Sequence, residues 1–74
     1  MEEKEKIKAG FGRNLQRLRL ERDLSIRSLA TRSGMEYSHM QRIVTGKVSI
    51  SLPTIYAIAK GLNVPAAALV PELE

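Results

Sequence analysis

Nine side chains able to hold or read a polyanion stand close together in this sequence: Arg27, Tyr37, Ser38, His39, Gln41, Arg42, Thr45, Lys47 and Ser49. Gln can pair bidentately with adenine and Arg with guanine, and a tyrosine ring can pack on a thymine methyl. Lys, Arg and the hydroxyls suit phosphate oxygens. This is the chemistry of recognition. The chemistry of bond breaking has no comparable set, because nucleophile, base and phosphate-cradling glycine loop are not grouped anywhere. His39 is the single histidine and there is no cysteine, so metal-ligand spacing is missing. The expectation is a binding protein rather than an enzyme, with no cofactor and no evident small-molecule ligand.

Each of these residues also has a plainer reading. Tyr37 reaches a base or phosphate, or its ring lies on its own helix. Ser38 makes a contact or caps a helix. Gln41 and Arg42, one turn further on, read bases or form a solvated polar face. His39 touches phosphate or is simply surface. Arg27, Lys47 and Ser49 favour phosphate, with Thr45 a weaker member of that group. Arg13 and Arg17 fit a solvated helix face, and either could flank the DNA backbone.

Charge points the same way. The formal net charge is +4, and residues 25–47 hold Arg27, Arg32, Arg42 and Lys47 against Glu36 alone. A local basic excess suits a polyanion partner. At 74 residues the chain is one domain at most. Without cysteine it needs helix packing, dimerisation or both to be stable. No apolar run approaches the roughly 20 residues that span a bilayer. "MEEKEKIK" lacks a signal-peptide core. A soluble cytoplasmic protein that does not meet a membrane is expected.

The elements that must position these residues read as helices. Residues 1–6 alternate Glu and Lys and form a flexible N-terminal extension, frayed or a solvated continuation of the first helix. Residues 7–74 form the domain. Ile7, Phe11, Leu15 and Leu18 make the apolar stripe of helix one, which stops near Arg22–Asp23, while Gly10 and Gly12 weaken its start. Ser25 caps helix two, which Gly34 ends. Helix three follows Glu36 and stops at Gly46, with Met40, Ile43 and Val44 inward. Ser51 and Pro53 open helix four. Pro65 and Pro71 bound a fifth, "PAAALV". The fold class is all-α.

Helix two, the turn at Gly34 and helix three make a helix-turn-helix at about residues 25–46, and its second helix can enter the DNA major groove. "LSIRSLATRSGMEYSHMQRIVTGK" resembles the helix-turn-helix of Cro/Xre-type, lambda-repressor-like regulators. "FGRNLQRLR" and "SLPTIYAIAKGLNVPAAAL" resemble the helices on either side. The chain's size is also similar to that of restriction–modification controller proteins. The resemblance implies a compact five-helix DNA-binding domain and a sequence-specific transcriptional regulator of double-stranded DNA. The family usually has Gln where Ile26 stands. It often pairs an Arg on helix one with a Glu where Val44 stands. Arg19 must therefore find a carbonyl, another acid or a phosphate.

One helix touches few base pairs, so a homodimer on a palindromic operator is expected. Leu69, Val70 and Leu73 in "AAALVPEL" supply apolar area for the interface, unless Leu69 completes the core. The alternative is a protein-interaction module, such as an antitoxin or regulatory subunit, that uses this fold to hold a partner. Salt separates the two readings, since only duplex binding weakens steeply as salt rises.

Overall fold

The apolar stripe that starts at Ile7 lies on α1, Glu2–Glu21, in the computed structural model, which describes residues 2–71. Phe11, Leu15 and Leu18 on that stripe are buried, and Ile7 at its outer end is half-exposed. Glu3–Lys6 are exposed turns of the same helix. These residues thus continue the helix as a solvated first turn. An i,i+3 ion pair helps hold this start, with Lys8 Nζ 3.0 Å from the Glu5 carboxylate. The hydrogen bond from Lys8 keeps the Glu5 carboxyl below its ordinary pKa.

Three more α-helices follow: α2 (Ile26–Arg32), α3 (Tyr37–Val44) and α4 (Leu52–Leu62). No strand occurs among the described residues. The expected fifth helix is only a 3-10 turn, Ala66–Ala68, closed by bonds from Ala68 N to Pro65 O and from Leu69 N to Ala66 O. Its two flanking prolines leave too little chain between them for an i→i−4 ladder.

Local chemistry sets the helix ends. Ser25 Oγ accepts from Ser28 N at 2.9 Å, and Ser51 Oγ accepts from Thr54 N at 3.4 Å, so both expected caps form. Glu36 sits at the N-cap of α3 without a side-chain bond. Each α-helix ends on a left-handed residue: Asp23, Gly34, Gly46 and Asn63. In each case the next amide bonds back to the carbonyl five residues earlier, as Leu24 N does to Arg19 O and Met35 N to Ala30 O.

Every element contributes to one core. Leu15, Leu29, Met40, Ile43, Ile58, Leu62 and Leu69 are fully buried. Each contributes roughly 1.5–3 kcal/mol by leaving water. Leu69, expected at a dimer interface, is thus a core residue of its own chain, and Asn14 Nδ2 donates to its carbonyl at 3.0 Å. Three glycines inside helices, Gly10 against Pro71, Gly12 and Gly61, mark close approaches. A Cβ on Gly12 would lie 2.7 Å from Val44 O, and one on Gly61 would lie 2.7 Å from Ser33 Oγ. Gly12 therefore lets α1 press on the end of α3, at the cost of weaker helix propensity.

Candidate nucleic-acid interface

Along α3, burial divides the residues into two edges. Met40, Ile43 and Val44 are buried, and Tyr37, Ser38, Gln41, Arg42 and Thr45 are exposed. At about 100° per residue the exposed set spans an arc of roughly 140° on one side of the helix. The buried edge packs against α1 and α2. His39 falls between the two edges and is partly covered. The polar edge is therefore bare because the apolar edge is held, which is what a reading helix requires.

Cationic groups flank this edge at both ends. At its start, Arg27 on the first turn of α2 places its guanidinium carbon 4.3 Å from the centroid of the Tyr37 ring. The ring thus lies against α2 instead of along its own helix. At the far end Lys47 shares a shallow depression with Gln41, Arg42 and Thr45. A second depression, where α1 meets the end of α3, runs from Arg13 and Gln16 to Val44 and Thr45.

The arginines divide by what already occupies them. Arg19 Nη1 donates to Leu24 O at 2.7 Å and its Nε donates to Gln16 at 2.8 Å. Arg19 has therefore taken the carbonyl option. Arg22 Nε donates to Leu62 O at 3.0 Å and Arg32 Nε to Gly61 O at 2.8 Å, so both tie down the C-terminal end of α4. Arg17 faces Glu21 at 3.5 Å. Arg13, Arg27 and Arg42 make no ion pair among the described residues. Arg32 stays exposed and charged, but its Nε is directed to α4 and not to α3.

Seven of the nine expected contact residues come together on or beside α3: Arg27, Tyr37, Ser38, Gln41, Arg42, Thr45 and Lys47. Two are less well placed. His39 sits at the margin of the edge, and Ser49 lines an apolar groove with Lys4, Ile7, Lys8, Phe11, Ile50 and Ile55, away from the Lys47 depression. Thr45 also changes character. Its hydroxyl lies 3.0 Å from Gln41 O and 3.1 Å from Arg42 O, so its proton is committed and only its lone pairs face outward. Arg13 is better placed than the sequence indicates. The signal for it is Gly12, which brings this turn of α1 against α3. Of the expected interface residues, Val70 is half-exposed, Leu69 is in the core, and Leu73 lies outside the described residues.

Residues 11–73 match the helix-turn-helix domain family, and the chain belongs to it. It is 41% identical over 56 residues to the HTH-type transcriptional repressor RghR of Bacillus subtilis. That match covers 74% of this chain and 42% of RghR, so the chain spans less than half the length of that relative. Among solved structures it is similar to the restriction–modification controller protein C.AhdI from Aeromonas hydrophila. That likeness has a TM-score of 0.80 at 31% identity and covers 82% of this chain and 92% of C.AhdI. An HTH_3-family transcriptional regulator from Vibrio cholerae gives a TM-score of 0.86 at 27% identity, over 89% of this chain and 37% of that one. The fold and these relatives define a helix-turn-helix domain of the Cro/Xre type. No helix among the described residues is long and apolar enough to cross a membrane.

Proposed function

We propose that this chain regulates transcription as a homodimer on a palindromic duplex operator, with one α3 in the major groove of each half-site. The observation that carries this reading is the unpacked edge of α3, running from the Arg27–Tyr37 stack to Lys47. On it Gln41 and Arg42 read base edges, with Ser38 beside them. Arg27, Lys47 and Arg13 take backbone phosphates on either side, and His39 and Ser49 lie at the margin of the contact.

Dimerisation follows from reach. Half-sites lie about 34 Å apart along the duplex, or one turn. A body of 31 × 23 × 21 Å covers one of them and leaves room for its copy at the next. The apolar surface available for the joint is not Leu69. It is Leu52 and Tyr56, one turn apart on α4, together with Val70, all at least half-exposed.

The test is selection of bound duplexes from a random pool, followed by sedimentation of the complex. The expected result is an inverted repeat with half-site centres about 10 base pairs apart, bound by two chains. Enrichment of an unpaired half-site by one chain would overturn the dimer. No enrichment at all would overturn operator binding.

A further inference from the structure

The stack at the start of α3 couples two residues with different partners, one suited to phosphate and one to a base. Tyr37 is the first residue of α3 and is 36% exposed. Arg27 belongs to α2, with its guanidinium carbon 4.3 Å from the Tyr37 ring centroid. At that distance the cation sits over the ring, and the interaction between charge and π-face favours the arrangement. The guanidinium's N–H groups lie in its plane, so stacking on one face leaves its edges open to an acceptor. Arg19, Arg22 and Arg32 have spent such edges on carbonyls, whereas Arg27 makes no ion pair among the described residues.

A tyrosine alone on an exposed first turn would sample several rotamers and lose that freedom on binding. Ser25 caps α2 at 2.9 Å and fixes the turn that carries Arg27. The ring is therefore held between two helices before any DNA arrives.

We propose that Arg27 is a positioning residue for base reading. By stacking on Tyr37 it fixes the ring that meets the first base pair under α3, so replacing Arg27 changes which base is preferred there, not only how tightly DNA is held. The inference rests on α3 reading duplex DNA. It adds that discrimination at one position depends on a residue of α2 through the shape of its side chain as well as its charge.

Arg27→Lys tests this, because it keeps the positive charge and gives up the planar fork. Competition binding would use the selected operator and its single-base variants, with wild type, Arg27→Lys, Tyr37→Leu and the double variant. The position whose preference Tyr37→Leu abolishes identifies the base pair under the ring. At that position Arg27→Lys should lower discrimination measurably, up to about 2- to 5-fold, the range of a whole exposed cation–π pair, of which a lysine keeps a part. The salt slope and the other positions should stay as in wild type. In the Tyr37→Leu background, Arg27→Lys should have no further effect on discrimination. In free wild-type protein the Arg27 side-chain protons should show an upfield ring-current shift that Tyr37→Leu removes. That readout needs no DNA, and the retained dispersion of the buried methyl signals of Leu15, Leu29 and Ile58 shows that the variant is folded.

Unchanged discrimination in Arg27→Lys, an equal loss on every duplex, or effects of the two substitutions that simply multiply would each overturn the coupling. So would the lack of a ring-current shift in wild type. If wild type selects no sequence, DNA reading itself fails and the inference falls with it, whereas a selected operator with any of the former results removes the inference alone.

Discussion

The arginines do different jobs in this domain, and substitution should separate them. Arg42→Ala should cost about 1–3 kcal/mol of operator affinity and relax preference at one base position, read by competition with operator variants. Lys47→Ala should weaken every duplex about equally and lower the salt slope by about one. Arg19→Ala should do neither. It removes donors to Leu24 O and Gln16 and should lower the melting temperature by the equivalent of roughly 1 kcal/mol. The sequence held part of this division. The exposure of Gln41 and Arg42 was legible because they sit opposite Met40, Ile43 and Val44 in a periodic segment. The engagement of Arg22 and Arg32 was not, because their acceptors, Leu62 O and Gly61 O, lie on a distant helix.

Helices here are specified at their ends and pinched at three internal points, Gly10, Gly12 and Gly61. Ser25, Gly34, Gly46 and Ser51 could be read directly, since caps and left-handed residues are local chemistry. The last helix could not, because whether Ala66–Ala68 completes an α turn depends on packing and on the chain left between two prolines. Gly12 reads in sequence as a flaw in helix propensity, and structure makes it a requirement. Gly12→Ala should gain helix propensity yet still destabilise the domain by about 1–3 kcal/mol, because the new methyl meets a backbone carbonyl that cannot rotate away. Denaturant unfolding checks this. Glu36→Ser should act in the opposite sense, supplying the side-chain cap that α3 lacks and adding about 0.5–1 kcal/mol of stability. The same change removes an acidic group beside the reading edge, so duplex affinity should rise with it.

For the molecule as a whole, one small core does the work of folding, and association has to use what remains outside. Leu69→Ala should cost about 2–5 kcal/mol of folding stability, as for other buried leucines, and it reports nothing about a dimer. Val70→Asp and Tyr56→Asp should instead leave the melting curve of the isolated chain nearly unchanged and shift sedimentation toward monomer. A dimer that survives both would place the joint elsewhere. The contact at Gly12 has a further consequence at this scale. With no space there for even one methyl, and with Gly46 in tight contact with Lys8 and Ala9, α3 is packed closely on α1 and would have to present its polar edge to DNA as one rigid unit with the domain. An operator with non-ideal spacing would then be accommodated by twisting or bending the duplex, so sequence between the half-sites would affect affinity through its stiffness without being touched.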